Sequence, residues 1–382
     1  MLSDSGKELA KEVLVHGPIT RTELGSRLRL SPASLTRLSK PLLDAGFLVE
    51  LDEAPGPAPG RPARPLDIRP GMGRFLGVKL TGDVAHGVVT DLRAGVTGQL
   101  QRHLTSREPE AVAKLIAGVA HDLGVVPPAR GGAPAPALFG VGICLGGMVR
   151  RARQVVRAPF LGWQGVPLAD LVEEASGLPA VVANDVVALS AAHHWFGLAK
   201  GETDFAVITT GAGVGYGLVT RGRVIDTAEA GIGLAGHLPL DDNGPACPEG
   251  WQHRGCAMSI LASGPMVARA ERELGRKVDY DQLLTLAVAG EAVAAQIVGD
   301  AARALGRLIA LAANLTLRPL VVLGGEGMGL WDVAAPQIRA AAESWRQAEA
   351  EPLRIMVDAT GFVSWARGAA ALAIQESVGR LG

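Results

Sequence analysis

The 382-residue sequence predicts an α/β protein built from two unlike parts. The first 70 residues contain three short helical patterns followed by two strand-like runs. From residue 74 onward, strand-like apolar runs alternate with alanine-rich helical runs, a pattern typical of α/β lobes with mixed sheets. We therefore predict a small domain over residues 1–70 and a larger one over residues 71–382.

Two short helices are predicted at the start of the chain. Residues 5–16 show apolar positions at helical spacing, and the Gly-Pro pair that follows stops the pattern. Thr20 and Glu23 then have the spacing of a capping box, in which each side chain satisfies a free backbone N–H group. A second short helix is therefore predicted directly after Thr20.

A third helix is predicted from a cap at Ser31, with Pro32 at its first position, where a missing N–H group costs nothing. Its inner face consists of leucines at helical spacing, namely Leu35, Leu38 and Leu42. Pro41 lies inside the pattern, and its ring disfavours helical geometry at the preceding residue. We therefore expect a kink or a tightened turn near Lys40.

A hairpin follows the three helices. FLVEL at 47–51 and PLDI at 65–68 are typical of strands, and the proline- and glycine-rich stretch 54–65 separates them. Three helices followed by such a hairpin predict a winged helix-turn-helix. In this motif the second helix of the pair enters the major groove of DNA.

The outer face of the third helix carries side chains that suit DNA. Arg37 can bind guanine through two hydrogen bonds, while hydroxyl groups and Lys40 can contact phosphates. Residues 21–40 hold five basic residues and one acid, a local net charge of +4 against −1 for the whole chain. The alternative to DNA binding is a capped amphipathic helix whose polar side chains simply face solvent. The candidate DNA-binding residues, including two wing arginines that suit a narrow minor groove, are Ser31, Ser34, Thr36, Arg37, Lys40, Arg61 and Arg64.

The composition limits the compartment. Three cysteines, Cys144, Cys247 and Cys256, are too few for a disulfide framework and suit a reducing compartment. The charged start MLSDSGKELAKE argues against a signal peptide, and no apolar run reaches the ~18 residues of a membrane span. We expect a soluble, cytoplasmic protein.

Two segments of the larger part resemble the ROK family of sugar kinases and sugar-responsive repressors. They are VITTGAGVGYGLVTRGRV at 207–224 and GIGLAGHLPLDDNGPACPEGWQHRGC at 231–256. The N-terminal part is similar to the winged helix of the family's repressors, so the resemblance covers nearly the whole chain. It implies a two-lobed, actin-like or hexokinase-like ATPase fold, with the lobes divided near residue 195.

The resemblance implies a phosphate site that departs from the enzymes' pattern. The family's enzymes end a strand in Asp-x-Gly-Gly-Thr, whose aspartate supports the metal and phosphates. Here KLTGD at 79–83 puts Lys79 at the aspartate's position, so we expect no bound ATP or magnesium and no kinase activity. Glycine-rich turns remain at 209–217 and 323–329, but tight corners also need glycine. An active sugar kinase with an accessory DNA-binding domain stays as the alternative.

The resemblance also implies an effector pocket. Asn184 and Asp185 match the pair that holds the sugar, with Asp185 at the general-base position, although the pair can equally cap the following helix. Three positions that bind sugar hydroxyls in the enzymes are apolar here, so we expect a less polar pocket. The implied effector-contacting residues are Gly146, Phe160, Asn184, Asp185, Leu234, His237 and Met258.

A structural zinc site is implied as well. The family binds zinc through a histidine and three cysteines, of which His237, Cys247 and Cys256 remain. Glu249 takes the place of the missing cysteine and is the predicted fourth ligand, with His253 as its alternative. A loop that no longer binds metal is the alternative to both.

Together these features predict a transcriptional regulator, most simply a repressor. A two-fold homodimer or a tetramer would bind a palindromic operator. A sugar or sugar-derived effector bound between the lobes would favour one closure state and so change the spacing of the winged helices. The remaining alternative is a DNA-binding protein that no effector controls.

Overall fold

A computed structural model of the chain describes residues 2–52, 64–125 and 138–380. The chain forms two compact units. Unit 1 contains Met1–Gly201 and Trp365–Gly382, and unit 2 contains Glu202–Ser364. The predicted domain boundary at residue 70 lies inside unit 1, where it stays a prediction.

The N-terminal part of unit 1 contains three helices and an antiparallel hairpin. Numbered in chain order, these elements are α1 (Asp4–His16), α2 (Arg21–Leu28), α3 (Pro32–Asp44), β1 (Leu48–Glu50) and β2 (Leu66–Ile68). The predicted capping box at Thr20 and the predicted cap at Ser31 are both formed. Local sequence signals therefore determine where α2 and α3 begin.

The third helix continues through Pro41 to Asp44, so the proline does not end it. Proline removes one backbone hydrogen bond, but the turns on either side of it are anchored. Leu38 and Leu42 are buried on the inner face of the helix, and their burial offsets the missing hydrogen bond. The kink or tightened turn expected near Lys40 stays a prediction.

The apolar core of the N-terminal part continues into the rest of unit 1. One cluster of buried residues joins Leu14 and Leu35 of the helices with Phe75, Trp195 and Ile374 of the body. Each part alone would expose apolar surface that the other covers.

Arg93 adds polar contacts across the same junction. It donates a hydrogen bond to the carbonyl oxygen of Leu14 at 3.1 Å and forms an ion pair with Asp67. The winged helix-turn-helix is therefore packed firmly on the body of unit 1.

The body of unit 1 is built on a five-stranded mixed sheet of order β5-β4-β3-β6-β10. Its strands are β3 (Gly73–Leu80), β4 (Val84–Thr90), β5 (Val96–His103), β6 (Leu138–Leu145) and β10 (Ala180–Asn184). A smaller sheet contains β7 (Met148–Arg150), β8 (Gln154–Ala158) and β9 (Trp163–Val166). The helices are α4 (Pro109–Asp122), α5 (Leu168–Ser176), α6 (Asp185–Phe196) and α12 (Phe362–Gly379), the last of which begins in unit 2.

Unit 2 repeats this strand order in a second mixed sheet, β13-β12-β11-β14-β15. Its strands are β11 (Phe205–Thr210), β12 (Val214–Thr220), β13 (Arg223–Val224), β14 (Leu320–Gly324) and β15 (Arg354–Val357). Its helices are α7 (Ala257–Leu261), α8 (Ser263–Leu274), α9 (Tyr280–Val288), α10 (Ala292–Thr316) and α11 (Gly329–Glu343). In the sheet of unit 1, the central strand β3 runs antiparallel to β4 and parallel to β6. In the sheet of unit 2, the central strand β11 likewise runs antiparallel to β12 and parallel to β14. Two sheets with one topology explain the alternation of strands and helices seen in the sequence.

Among the described residues, no single helix has both the length and the apolar composition to cross a membrane. The pair α9 and α10 meets those criteria only when joined across a bend of 104°. This is weak support for a span, because α10 supplies much of the buried core of unit 2.

Candidate functional sites

The outer face of α3 presents the predicted DNA-binding side chains. Arg37 and Lys40 are exposed, while Leu35, Leu38 and Leu42 are buried on the opposite face. This division leaves both cations available to a partner molecule.

The hydroxyl groups on α3 are already used within the helix. The Ser31 Oγ accepts a hydrogen bond from the Ser34 N–H at 3.2 Å and donates one to the Ser34 Oγ. Thr36 donates its hydroxyl hydrogen to the carbonyl oxygen of Pro32 at 3.0 Å. These three residues fix the start of α3, and the two cations carry its charge.

The wing is described only in part. Arg64 is exposed just before β2, whereas Arg61 lies outside the described residues. Arg21 at the start of α2 pairs with Glu50 of β1, which ties the helix-turn-helix to the wing.

Lys79 and Asp185 form an ion pair inside unit 1, although 106 positions separate them in the sequence. Their side chains are only 8% and 15% exposed. The Lys79 ammonium group also lies 4.8 Å from the centre of the Trp365 ring, a cation–π contact. The Asp185 carboxylate, for which the family resemblance predicts a general-base position, is thus paired with the Lys79 ammonium group.

Asn184 is occupied by helix capping. Its Oδ1 accepts hydrogen bonds from the N–H groups of Val186 and Val187, at 2.9 Å and 3.3 Å. Its Nδ2 donates to the carbonyl oxygen of Gly147 at 3.1 Å. Asn184 therefore caps α6, as the sequence allowed, and both polar atoms of its side chain have an internal partner.

Gly146 and Phe160 lie beside the same ion pair. A Cβ atom added to Gly146 would lie 3.5 Å from Asp185 Oδ2 and 3.6 Å from the Phe160 ring. The Phe160 side chain belongs to an exposed 3₁₀ turn, Pro159–Leu161. The structure thus brings together the four predicted effector positions of unit 1.

The other three predicted effector positions lie in unit 2. Leu234 and His237 begin and end a 3₁₀ turn, and Met258 lies in the first turn of α7. The Met258 methyl group would be 3.1 Å from a Cβ atom at Gly236 and 3.6 Å from one at Gly213. Met258 thus covers the glycine turn after β11.

That glycine turn already holds an internal anion. Glu326, which follows β14, accepts a hydrogen bond from the backbone N–H of Ala212 at 2.7 Å. A Cβ atom at Gly211 would lie 2.1 Å from the Glu326 carboxyl carbon, so a side chain at 211 would displace this carboxylate. A carboxylate of the protein itself therefore binds a backbone N–H of this turn.

Four metal-binding side chains gather in the loop between β13 and α7. Ligand atoms of His237, Cys247, His253 and Cys256 all lie within 4.8 Å of one another. Cys247 Sγ is 3.6 Å from His237 Nδ1. This mixed sulfur and nitrogen donor set suits a tetrahedral metal ion such as zinc.

Glu249, the predicted fourth ligand, lies outside this group of four. Its Oε2 is 3.3 Å from His237 Nε2, and its side chain is 51% exposed. The third cysteine, Cys144, is fully buried in unit 1, and burial raises the pKa of its thiol to about 12. Cys144 is a core residue and contributes nothing to the cluster.

The sequence model of the ROK family matches residues 95–376, which is more than two thirds of the chain. This chain belongs to the ROK family.

Named relatives in the family include several repressors. The xylose repressor of Bacillus subtilis is 25% identical over 282 residues, which cover 74% of this chain and 71% of the repressor. The transcriptional repressor Mlc of Escherichia coli is 23% identical over 376 residues, which cover 95% of this chain and 90% of Mlc.

Solved ROK structures share the fold. A ROK-family transcriptional regulator, described as a homologue of E. coli Mlc, covers 98% of this chain and 97% of its own, with a TM-score of 0.80 at 20% identity. A Streptomyces griseus ROK glucokinase, solved with glucose and AMPPNP, covers 78% and 99%, with a TM-score of 0.64 at 23% identity. The predicted fold class is confirmed: α/β, with a winged helix-turn-helix followed by the actin-like ROK fold.

Sequence reasoning does not single out Glu326 or Trp195. Glu326 lies within the glycine turn LGGEGMG at 323–329, and an acid between glycines is a usable signal. Trp195 lies at the end of α6, and no sequence signal marks it.

Proposed function

We propose that this chain is a DNA-binding transcriptional repressor whose kinase-like body senses a sugar or sugar-derived metabolite. The observation that carries the proposal is the division of α3, with buried leucines on one face and exposed Arg37 and Lys40 on the other. Among its relatives are proteins named xylose repressor and N-acetylglucosamine repressor. A repressor acts where the DNA is, so we place this protein in the cytoplasm.

The direct test is a gel-shift assay with DNA from the region upstream of the protein's own gene. Arg37→Ala should weaken specific binding by about 1–3 kcal/mol and relax the preference at one base position, because an arginine that binds guanine bidentately specifies that base. The matched control is Arg102→Ala, since Arg102 is a half-exposed arginine on β5, away from α3. The proposal is wrong if the wild-type protein fails to shift this DNA and also fails to select any sequence from a random library.

Loss of kinase activity is the second part of the proposal. Lys79 places a cation where the enzymes have a carboxylate, and it pairs with the would-be general base, Asp185. Glu326 places an anion on the glycine turn. Lys79 provides no oxygen ligand for magnesium, and the Glu326 carboxylate would repel a phosphate at its own turn. A coupled assay with ATP, magnesium and glucose, xylose or N-acetylglucosamine should show no turnover, and turnover above a protein-free control would overturn this part.

An effector-independent DNA-binding protein is the second candidate function. It is favoured by one observation, that Asn184 and Asp185 already have internal partners. Thermal shift and operator release with a panel of neutral and phosphorylated sugars distinguish the two candidates. A sugar that raises the melting temperature and releases the operator supports the sensor, whereas no response across the panel supports the effector-independent protein.

The helix α6 offers a physical route from the predicted effector residues to the winged helix. It begins at Asp185 and ends beside Trp195, which is buried in the core shared with α1. Lys11 of α1 lies 5.5 Å from the Trp195 ring centre. We propose that displacement of Asp185 reaches α1 along this helix. Hydrogen exchange in α1 should change when an active sugar is added, and exchange changes confined to the body would contradict this route.

We further propose a homodimer or a tetramer that binds a palindromic operator. A two-fold protein demands two half-sites a whole number of DNA turns apart. Light scattering of the free protein and footprinting of the complex test this arrangement, and a monomer protecting a single half-site would refute it.

The cysteine and histidine cluster of unit 2 is proposed to bind a structural zinc ion. The donor set fits zinc, and the metal would hold the loop between β13 and α7 in its folded form. His237 ends the 3₁₀ turn that begins at Leu234, so the metal would also fix that turn. Elemental analysis of purified protein should give one zinc per chain.

A further inference from the structure

We infer that His253 is the fourth metal ligand and that Glu249 positions His237 without touching the metal. The inference rests on the zinc site proposed above and assigns separate roles to two residues that the sequence left as alternatives. It concerns the part of the loop that departs from the histidine and three cysteines of the family pattern.

The distances favour His253. Zinc lies about 2.3 Å from sulfur and about 2.1 Å from nitrogen, so neighbouring ligand atoms in a tetrahedral site are separated by about 3.6 Å. Cys247 Sγ and His237 Nδ1 are already 3.6 Å apart. The ligand atoms of His253 and Cys256 lie within 4.8 Å of these two and of each other. Small side-chain movements would close all four atoms around one ion.

His253 also has an unused nitrogen. Its Nε2 is buried and has no hydrogen-bond partner among the residues that the structure describes. An unsatisfied buried polar atom destabilises the folded protein, so such atoms in native proteins call for a partner. A metal ion among the neighbouring sulfur and nitrogen atoms supplies that partner.

Glu249 faces the opposite side of the His237 ring. His237 Nδ1 points to Cys247, whereas Nε2 points to the Glu249 carboxylate at 3.3 Å. If Nε2 donates its proton to Glu249, Nδ1 keeps its lone pair for the metal. A carboxylate held at Nε2 is therefore directed away from a metal at Nδ1.

Backbone hydrogen bonds in the loop explain why His253 comes close. The N–H of Cys247 donates to the carbonyl oxygen of His253 at 3.1 Å, and the N–H of Gly255 donates to that of Pro245 at 2.7 Å. These bonds fold the segment into a narrow hairpin, so positions 247 and 253 lie opposite each other. Relative to the family pattern two residues are inserted here, and the inserted length places a histidine where the missing cysteine would contribute.

Trp251 completes the arrangement and provides a reporter. Its ring stacks on the His237 ring, with centres 4.2 Å apart and planes 2° apart. The stacking limits rotation of the imidazole, and the indole is 53% exposed at the rim. Metal binding to His237 should therefore change Trp251 fluorescence.

The test uses full-length protein stripped of metal and titrated with Co²⁺, whose visible spectrum reports tetrahedral geometry and thiolate ligands. His253→Gln should change the cobalt spectrum and weaken binding more than any other substitution in the set. Glu249→Gln should keep the spectrum and weaken binding about 10- to 100-fold, as expected for a residue that orients a ligand. Glu349→Gln and His121→Gln, at exposed positions far along the chain, are the matched controls and should leave both unchanged.

The outcomes separate the assignments. If Glu249→Gln abolishes the cobalt spectrum while His253→Gln preserves it, Glu249 is the ligand and the inference is wrong. If the wild-type protein binds neither zinc nor cobalt, the zinc proposal and this inference fail together. Gel shifts on the same samples measure DNA binding independently of metal binding, because a metal site can exist whether or not the operator is bound. Trp251→Phe should remove the metal-dependent fluorescence change and leave the cobalt spectrum intact.

Discussion

Two sets of polar side chains, both of which the family resemblance singled out, differ in how many internal partners they have. In the first set, Lys79 pairs with Asp185, and Glu326 accepts the Ala212 N–H, so every charge has an internal partner. In the second set, the cluster around His237, a buried nitrogen of His253 has no protein partner among the described residues. The difference teaches that retained residue types do not define a working site. The number of internal partners determines whether a site is closed or can accept a ligand.

The largest loss of stability should come from breaking the ion pair between Lys79 and Asp185. Lys79→Ala leaves Asp185 in a mostly buried position without its cation, and breaking a buried pair in this way costs about 3–5 kcal/mol. Urea unfolding followed by circular dichroism measures the loss. The double variant Lys79→Met with Asp185→Asn should recover most of it, because no charge is then left unpaired.

Lys277→Ala is the control for that prediction. Lys277 also pairs with an acid, Glu271, at 2.8 Å, but its side chain is 90% exposed. Its removal should cost at most about 1 kcal/mol. Equal losses for Lys79→Ala and Lys277→Ala would show that the first pair is not effectively buried.

The next largest loss of stability should come from removing the metal from the cluster around His237. A metal present at about 100 times its dissociation constant stabilises a folded protein by about 2.7 kcal/mol, and chelation removes that contribution. We expect a lower melting temperature in chelator and faster proteolysis within residues 237–256. Re-addition of zinc should restore both, and a melting temperature indifferent to chelator and zinc would contradict the open state of the cluster.

A smaller loss of stability should come from removing the capping box at the start of α2. In the capping box, the Glu23 N–H donates to Thr20 Oγ at 3.2 Å and the Thr20 N–H donates to the Glu23 carboxylate at 3.0 Å. Thr20→Ala should cost about 1 kcal/mol in urea unfolding, because solvent can replace the lost bond. Thr20→Ser keeps the hydroxyl and should cost less, so similar losses for both would argue against capping as the cause.

At neutral pH the smallest effect should come from His16, whose influence on stability appears only as the pH is lowered. Burial, followed by the nearby charges of Arg27 and Lys200, lowers the pKa of His16 from 6.5 to about 4. Between these values the unfolded chain binds a proton that the folded chain does not, so stability is full above pH 6.5 and falls as the pH is lowered to about 4. His16→Gln should flatten that decline. Parallel pH profiles for the two proteins would refute the assignment.

Much of the winged helix could be predicted from local signals. The cap at Ser31, the capping box at Thr20 and the leucine spacing of α3 each depend on residues within one or two turns. Pro41 needed more than local signals, because the helix continues past it where Leu38 and Leu42 are buried.

The candidate sites were harder to predict, because their contacts join distant parts of the chain. The Lys79–Asp185 pair spans 106 positions, and the Glu326 contact with Ala212 spans 114. Sequence reasoning found Lys79 and Asp185 separately and did not foresee that they neutralise each other. The choice between Glu249 and His253 depended on how a ten-residue loop folds, which neither residue type specifies.

The core shared by α1, Trp195 and Ile374 has a consequence for how this protein can evolve. A DNA-reading segment attached by a free linker can be exchanged between proteins as a cassette. Here a foreign winged helix would meet apolar surfaces shaped for Leu14 and Leu35, with Arg93 left without its partners. New operator preferences should therefore arise by substitution on the outer face of α3, with recombination at residue 70 disfavoured.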